Sequence, residues 1–244
     1  MNLSDLQAEA GRLLADANNE RWSAAILLTR INLAQADIQG QTNAIKTSES
    51  LNLVSGTSAY AVASDAIDIL KVVITDNQGN ATPLKGYTTI DLDFYWPTWR
   101  QFSNGTPFGY YWDGVANTVN LVPAPDWTLT SGLTVIESQL PTDLVNSTDI
   151  PFDSDTQMVP YHMSIVHWVV AQCWLDDGTP EALAKSKFHR TNDMDHPGEY
   201  EKWIKKINSQ FDVAEDVPTQ IKFKPQGGRI GSWGVSKSNP FANF

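Results

Sequence analysis

Cysteine is nearly absent from this sequence: Cys173 is the only one in 244 residues. A framework of internal disulfides is thereby excluded, and assembly in a reducing cytoplasm is expected. Cys173 lies in the apolar run 165–175, where a buried thiol is expected and not a nucleophile. Long apolar runs are missing as well. The longest apolar region, 158–175, is broken by His162, Ser164, His167 and Gln172, so it reads as a core helix and not a membrane span. Residues 1–16 carry acids and polar groups where a secretion signal needs a basic start and an apolar centre. Positive charge is scarce too. Seventeen lysines and arginines face 28 acids, a net charge of −11, which argues against a protein that wraps nucleic acid with its whole surface.

The motifs of catalysis are equally thin. There is no phosphate-cradling glycine loop, no Gly-x-Ser-x-Gly elbow and no zinc-protease helix, and Gly227-Gly228 has no strand before it. His162 and His167 are five residues apart, off the i, i+4 spacing that zinc on one helix face requires. His189, Asp193, Asp195 and His196 cluster at a helix break and read as a solvated loop. The acid pairs Asp91/Asp93, Asp153/Asp155 and Asp176/Asp177 stand beside turns or helix ends, where carboxylates serve as caps. No enzyme, cofactor or metal site is expected.

What the chain has is aromatic mass and an uneven charge. It contains nine tryptophans and seven tyrosines, with Trp96, Trp99, Tyr110, Tyr111, Trp112 and Trp127 in one region. Such residues favour cores and subunit contacts, and a surface that stacks on sugars is the rival reading. The last 28 residues hold four cations (Lys222, Lys224, Arg229, Lys237) and no acid, against −15 for the first 216.

The hydrophobic period changes twice along the chain. Leu6, Ala10, Leu13, Leu14 and Ala17 repeat at helical spacing behind a Ser4/Gln7 capping box. Trp22 stands before the N-cap Ser23 as a hydrophobic staple towards Leu27, and Leu27, Ile31, Ala34 and Ile38 form the stripe of a second helix that Gly40 should end. From about Glu49 the period falls to two. Leu51/Leu53, Tyr60/Val62, residues 67–75, 108–112, 118–122 and 133–140 read as strands, with turns at 55–57, 76–80 and Asp113-Gly114. The segment 94–102 fits a short helix or a loop. Helical signals return near Asp155, with Pro160 in a first turn and Gly178 as a stop. Thr179-Pro180-Glu181 opens the next helix. A last one carries Tyr200, Trp203, Ile204, Ile207 and Phe211 on one face, with Lys202, Lys205 and Lys206 nearer its end.

The expected class is α+β: a helical bundle formed by both chain ends (1–48 and 150–212), an inserted antiparallel β domain (49–149) and an extended C-terminal arm (213–244). Phe223, Arg229, Trp233, Phe241 and Phe244 in the arm are candidate contact residues, and so are Trp96, Trp99, Phe102 and Asp113 in the β region.

Partners for these contacts come from a resemblance. Trp22-Ser23 leads through Leu27-Leu28 into Ile31-Asn32-Leu33-Ala34-Gln35. Val54-Ser55-Gly56 then precedes Tyr60-Ala61-Val62, with Ala63 where proline is usual. Gly105-Thr106-Pro107 introduces Phe108, Tyr110 and Tyr111. Leu121-Val122-Pro123-Ala124-Pro125, Ile150-Pro151-Phe152 and Tyr161-His162 follow in order. This series, over residues 3–210, resembles the phage head-to-tail adaptor family found at the base of the portal and best known from short-tailed phages. The resemblance implies a structural virion protein, assembled in the host cytoplasm as a homomeric ring of twelve copies. The ring would lie between the portal and the tail nozzle or tail tube, and double-stranded DNA would pass through its lumen without specific binding. The arm residues Phe223, Arg229, Trp233, Phe241 and Phe244 would contact a neighbouring subunit or the portal, and Trp96, Trp99, Phe102 and Asp113 the tail side. An acidic body suits that passage, because like charge does not hold phosphates. A virion carbohydrate- or receptor-binding module is the alternative.

Overall fold

The computed structural model describes residues 1–18, 20–191 and 197–211. The fold is mixed α and β. Two helices, α1 (Leu3–Leu13) and α2 (Ala24–Thr42), precede the strands β1 (Lys46–Leu53), β2 (Ala59–Ala61), β3 (Ala66–Thr75) and β4 (Ala81–Gly86). A short α3 (Thr89–Tyr95) separates these from β5 (Gly109–Asp113), β6 (Thr118–Val122) and β7 (Leu129–Gln139). The chain then returns to helix in α4 (His162–Asp177), α5 (Pro180–His189) and α6 (Glu199–Phe211).

Local chemistry explains most helix ends, with three departures from the sequence reading. The capping box of α1 is Asn2/Asp5 and not Ser4/Gln7. The Asn2 side chain accepts the Asp5 N–H at 2.9 Å and the Asp5 carboxylate accepts the Asn2 N–H at 3.0 Å. Ser4 is already inside the helix, and Gln7 donates to the Ala24 carbonyl at the start of α2. Gly40 does not end α2. Helical geometry continues to Thr42, and Asn43 at φ +47° makes the left-handed turn, which asparagine tolerates better than most residues. Ser23 and Thr179 cap α2 and α5, Pro180 opens α5, and Gly178 at φ +69° stops α4, all as their residue types imply. The lysines of α6 sit at mid-helix, since the helix runs on to Phe211 and its last turn holds no basic residue.

One buried apolar cluster unites α1 and α2 with α4 and α6. Leu6, Leu27, Ile31 and Ile38 are in it, as are Phe152, Tyr161, Ile165, Val169 and Ile207. Polar ties fix the packing. The carboxylate of Asp37 on α2 accepts from Trp168 Nε1 of α4 (2.9 Å) and the Tyr200 hydroxyl of α6 (2.5 Å). Arg21 and Arg30, both over the Trp22 ring, pair with Asp177 and Asp176 at the end of α4. Cys173 is buried and free, and burial pushes its thiol up to about 11.

The seven strands form one sheet in the order β1-β7-β3-β4-β5-β6-β2. Its two edge strands, β1 and β2, are consecutive in the chain and joined by only residues 54–58. A link that short brings the edges near each other, so the sheet is rolled and nearly closed. Tyr60 of β2 spans the gap: its hydroxyl donates to the backbone beyond β1 and accepts the Val54 N–H at 3.1 Å. The interior is filled from most strands by Leu53, Val72, Leu84, Val119, Leu133 and Val135. The sequence led to the expectation of an antiparallel β domain, but the sheet is not wholly antiparallel: β4 and β5 pair in parallel, Lys85 with Gly109 and Gly86 with Tyr110. The reason is the connection. Residues 87–108 cross over through α3, and a crossover lets the next strand enter in the same direction.

The residues that carried the resemblance sit at joints. On α2, Ile31 and Ala34 face the helical core, while Asn32 and Gln35 grip the chain as it leaves the sheet. Asn32 donates to the Leu144 carbonyl (3.1 Å) and accepts the Leu144 N–H (3.0 Å). Gln35, buried, accepts the Phe152 N–H at 2.8 Å. One helical turn on, Gln39 bonds the Ile45 backbone just before β1 and the Ser138 hydroxyl of β7, coupling α2 to the sheet end. At another joint three distant motifs meet: the Gly56 N–H donates to the Pro125 carbonyl and the Gly105 N–H to the Ala124 carbonyl, each at 2.8 Å.

Candidate functional site

The crossover between β4 and β5 carries the largest group of exposed aromatic side chains among the described residues. Thr88 and Asp91 form a reciprocal capping box that starts α3, and only Leu92 of this helix is buried. The short helix is therefore pinned at one point and turns its other apolar groups outward. Ile90 and Phe94 are each 78% exposed, and Tyr95 is also exposed. An isolated helix of this length would not hold itself together, so its shape depends on the cap and on the aromatic contacts below it.

Those contacts form a chain of rings. Phe94 meets Tyr95 at 5.2 Å between centroids, Tyr95 meets Trp96 at 5.8 Å, and Trp96 meets Phe108 at 4.9 Å. Tyr87 supports Trp96 edge-on at 5.3 Å, and Phe102 lies 6.4 Å from Phe108. The Trp99 ring touches Tyr111 of β5 at 5.4 Å and is covered by the Arg100 guanidinium at 4.3 Å. Asp93 fixes both partners, accepting from Trp99 Nε1 at 2.8 Å and from Arg100 at 2.5 Å. Those bonds, from Arg100 first and then Trp99, hold its carboxyl below the usual range. The result is an apolar ridge with a polar clasp at one end.

Close approach to the sheet requires a glycine. A Cβ at Gly109 would lie 2.4 Å from a Tyr87 ring carbon and 2.8 Å from the Lys85 carbonyl oxygen, and the latter is backbone in the β4–β5 pair. Gly109→Ala is expected to cost about 1–3 kcal/mol of stability, the usual penalty for overpacking. It should also expose the Tyr87–Trp96–Phe108 group to solvent. Urea unfolding and tryptophan emission would read both effects. An unchanged midpoint with unchanged emission would show that this approach tolerates a methyl group.

Of the tail-side candidates, Trp96, Trp99 and Phe102 fall together in this crossover. Asp113 ends β5, two residues from Tyr111, and its carboxylate accepts the Val115 and Ala116 N–H groups at the hairpin tip. Sequence reasoning missed the most exposed members, Ile90, Phe94 and Tyr95. Their signal was Thr88-x-x-Asp91, a capping pair ahead of alternating apolar residues. Phe223, Arg229, Trp233, Phe241 and Phe244 lie outside the described residues, as do Asp193, Asp195 and His196. His189 sits on α5 against His167 of α4. Among the described residues no group of three or more histidine, cysteine or acidic side chains is placed to hold a metal ion, and no helix is long and apolar enough to cross a membrane.

A rolled sheet beside a helical body thus presents a ridge of exposed apolar and aromatic side chains. A family model described as SU10 adaptor protein matches residues 1–200. The chain belongs to that family, a phage head-tail adaptor family. Among curated proteins none matches this chain.

Proposed function

We propose that this protein is a structural adaptor of the phage neck, a subunit of a homomeric ring between portal and tail. In this reading both chain ends build the helical bundle, the inserted sheet unit projects from it, and residues 213–244 form an arm. The observation that carries the reading is the aromatic ridge, for family membership supplies the class and the ridge supplies a surface. Exposed apolar patches of this kind mark interaction sites, and aromatic and arginine side chains are the usual anchors of such contacts. The ridge, with Trp96, Trp99 and Phe102, and the Asp113 hairpin beside it face the tail nozzle or tail-tube protein. The acidic body keeps DNA from adhering while it passes through the ring. The protein is a virion component, assembled in the host cytoplasm, and has no enzymatic activity.

A sugar-binding role fits the ridge less well. Stacking on a sugar needs a free aromatic face, and the Trp99 ring is covered by Arg100 at 4.3 Å and packed against Tyr111 at 5.4 Å. Glycan-array binding that disappears in Trp99→Ala, with assembly intact, would favour that role instead.

The arm binds a neighbouring subunit or the portal, drawn to an acidic surface by its four cations and anchored by Phe223, Trp233, Phe241 and Phe244, with Arg229 among the cations. Deleting residues 217–244 is expected to leave the melting temperature unchanged and to abolish docking to purified portal. Docking retained after the deletion, or a collapsed monomer, would refute this assignment.

A further inference from the structure

Helix α5 is held by an unusually thin stripe. Its buried residues are Ala182, Ser186 and His189, at i, i+4 and i+7, so His189 is the only large side chain that anchors it. The large apolar residues of the same helix point away: Leu183 is exposed and Phe188 is 63% exposed. A groove of about 290 Å³ opens beside it between Leu13, Trp174 and Phe188, and another of about 410 Å³ is lined by Lys187, Phe188 and Lys202.

What His189 meets is another histidine. Its Nδ1 lies 2.9 Å from the Nδ1 of His167 on α4, with ring centroids 5.1 Å apart. Two ring nitrogens at that distance attract only when one carries a hydrogen and the other a lone pair. The neutral pair satisfies this. A first added proton can go to the far nitrogen of the donor ring, leaving the N–H···N contact in place but with a charge in a buried setting. A second must go to the accepting Nδ1, and two N–H groups then face each other. Glu199 at the start of α6 acts on both rings and Glu9 of α1 on His167, and both favour the charged form. Lys185 and Arg190 flank His189 on its own strand of chain; Arg190 is turned to Asp37 and to the Trp168 and Tyr200 rings. Burial outweighs the two acids. It keeps His167 below its ordinary value, and together with His167 it brings His189 down to about 4.

We infer that α5 is an acid-released element, latched to α4 by the neutral His167–His189 pair. The sign follows from linkage. A histidine whose folded value is depressed contributes stability that is complete above its unfolded value of 6.5 and is lost as pH falls towards about 4. For His189 alone, opening of α5 becomes about twentyfold more favourable between pH 7 and pH 5. The thin stripe makes α5 the part that yields, since little apolar area opposes its departure.

The test is hydrogen exchange of the full chain at pH 7 and pH 5, corrected for intrinsic rates, read at amides of α5 in the unaltered protein and in His189→Gln, which keeps a possible donor to His167 but does not titrate. His162, buried at the start of α4 and also held down to about 4 by burial, is common to both proteins. The latch predicts that α5 opening rises about twentyfold more between the two pH values in the unaltered protein than in His189→Gln. It also predicts that at pH 5 the α5 amides exchange faster than those of α2. An equal rise in the two proteins, or α5 amides that exchange no faster than those of α2, would overturn it. Should that variant not fold, NMR titration of the unaltered protein decides the matter: His189 titrating above pH 6 overturns the latch, and titration below pH 5 supports it.

Discussion

Ile31→Ala is expected to destabilise the protein by about 2–5 kcal/mol, the range for truncating a fully buried aliphatic side chain. Ile31 is 1% exposed and lies in the one apolar cluster that joins α1 and α2 to α4 and α6. It also sits directly beside Asn32, whose amide holds Leu144 where the chain leaves the sheet. A cavity at Ile31 would therefore loosen two things at once, the core and the joint. Denaturant unfolding should show a lower midpoint with an unchanged slope, since the same surface is exposed on unfolding. A loss below about 1 kcal/mol would mean that α2 can settle into the space, and that it is less firmly fixed than its hydrogen bonds indicate.

The second large effect is expected in binding and not in stability. Ile90→Ser with Phe94→Ser removes the two most exposed apolar groups of the ridge, neither of which contributes to a buried cluster. The melting temperature should stay within experimental scatter, because surface changes away from packed groups have small effects. Docking to the tail-side protein should weaken about thirtyfold or more, the size associated with losing an interfacial anchor. Sedimentation of ring and nozzle mixtures would read it. Full docking by this variant would remove the ridge from the interface.

The sequence made the helices legible wherever one residue type has one strong preference. Ser23, Thr179-Pro180 and Gly178 stand where their chemistry places them. Gly40 misled because glycine permits a helix end without compelling one, and Asn43 three residues later supplied the left-handed turn. The strands with period-two apolar runs were readable, but β4 was not. Its sequence, Ala81-Thr82-Pro83-Leu84-Lys85-Gly86, holds one buried apolar residue, Leu84, and its pairing with β3 and β5 is what makes it a strand. Pairing is a tertiary fact, so nothing local announces it. The parallel β4–β5 contact was hidden for the same reason. The site was legible in part. Tryptophans drew attention to Trp96 and Trp99, yet these are half-buried supports, and the exposed crest is Ile90, Phe94 and Tyr95. Aromatic content locates such a surface; only the direction of α3 tells which rings are presented. The His167–His189 contact was out of reach for sequence reading, since 22 residues and a helix turn separate the two rings.

Negative-stain imaging of the purified protein alone and mixed with purified portal decides whether this chain forms a ring between portal and tail. Closed rings of this protein, stacked coaxially on the portal, are expected, with the sheet unit carrying the ridge on the side away from it. Particles that remain single copies in both samples, with portal rings left bare, would contradict it.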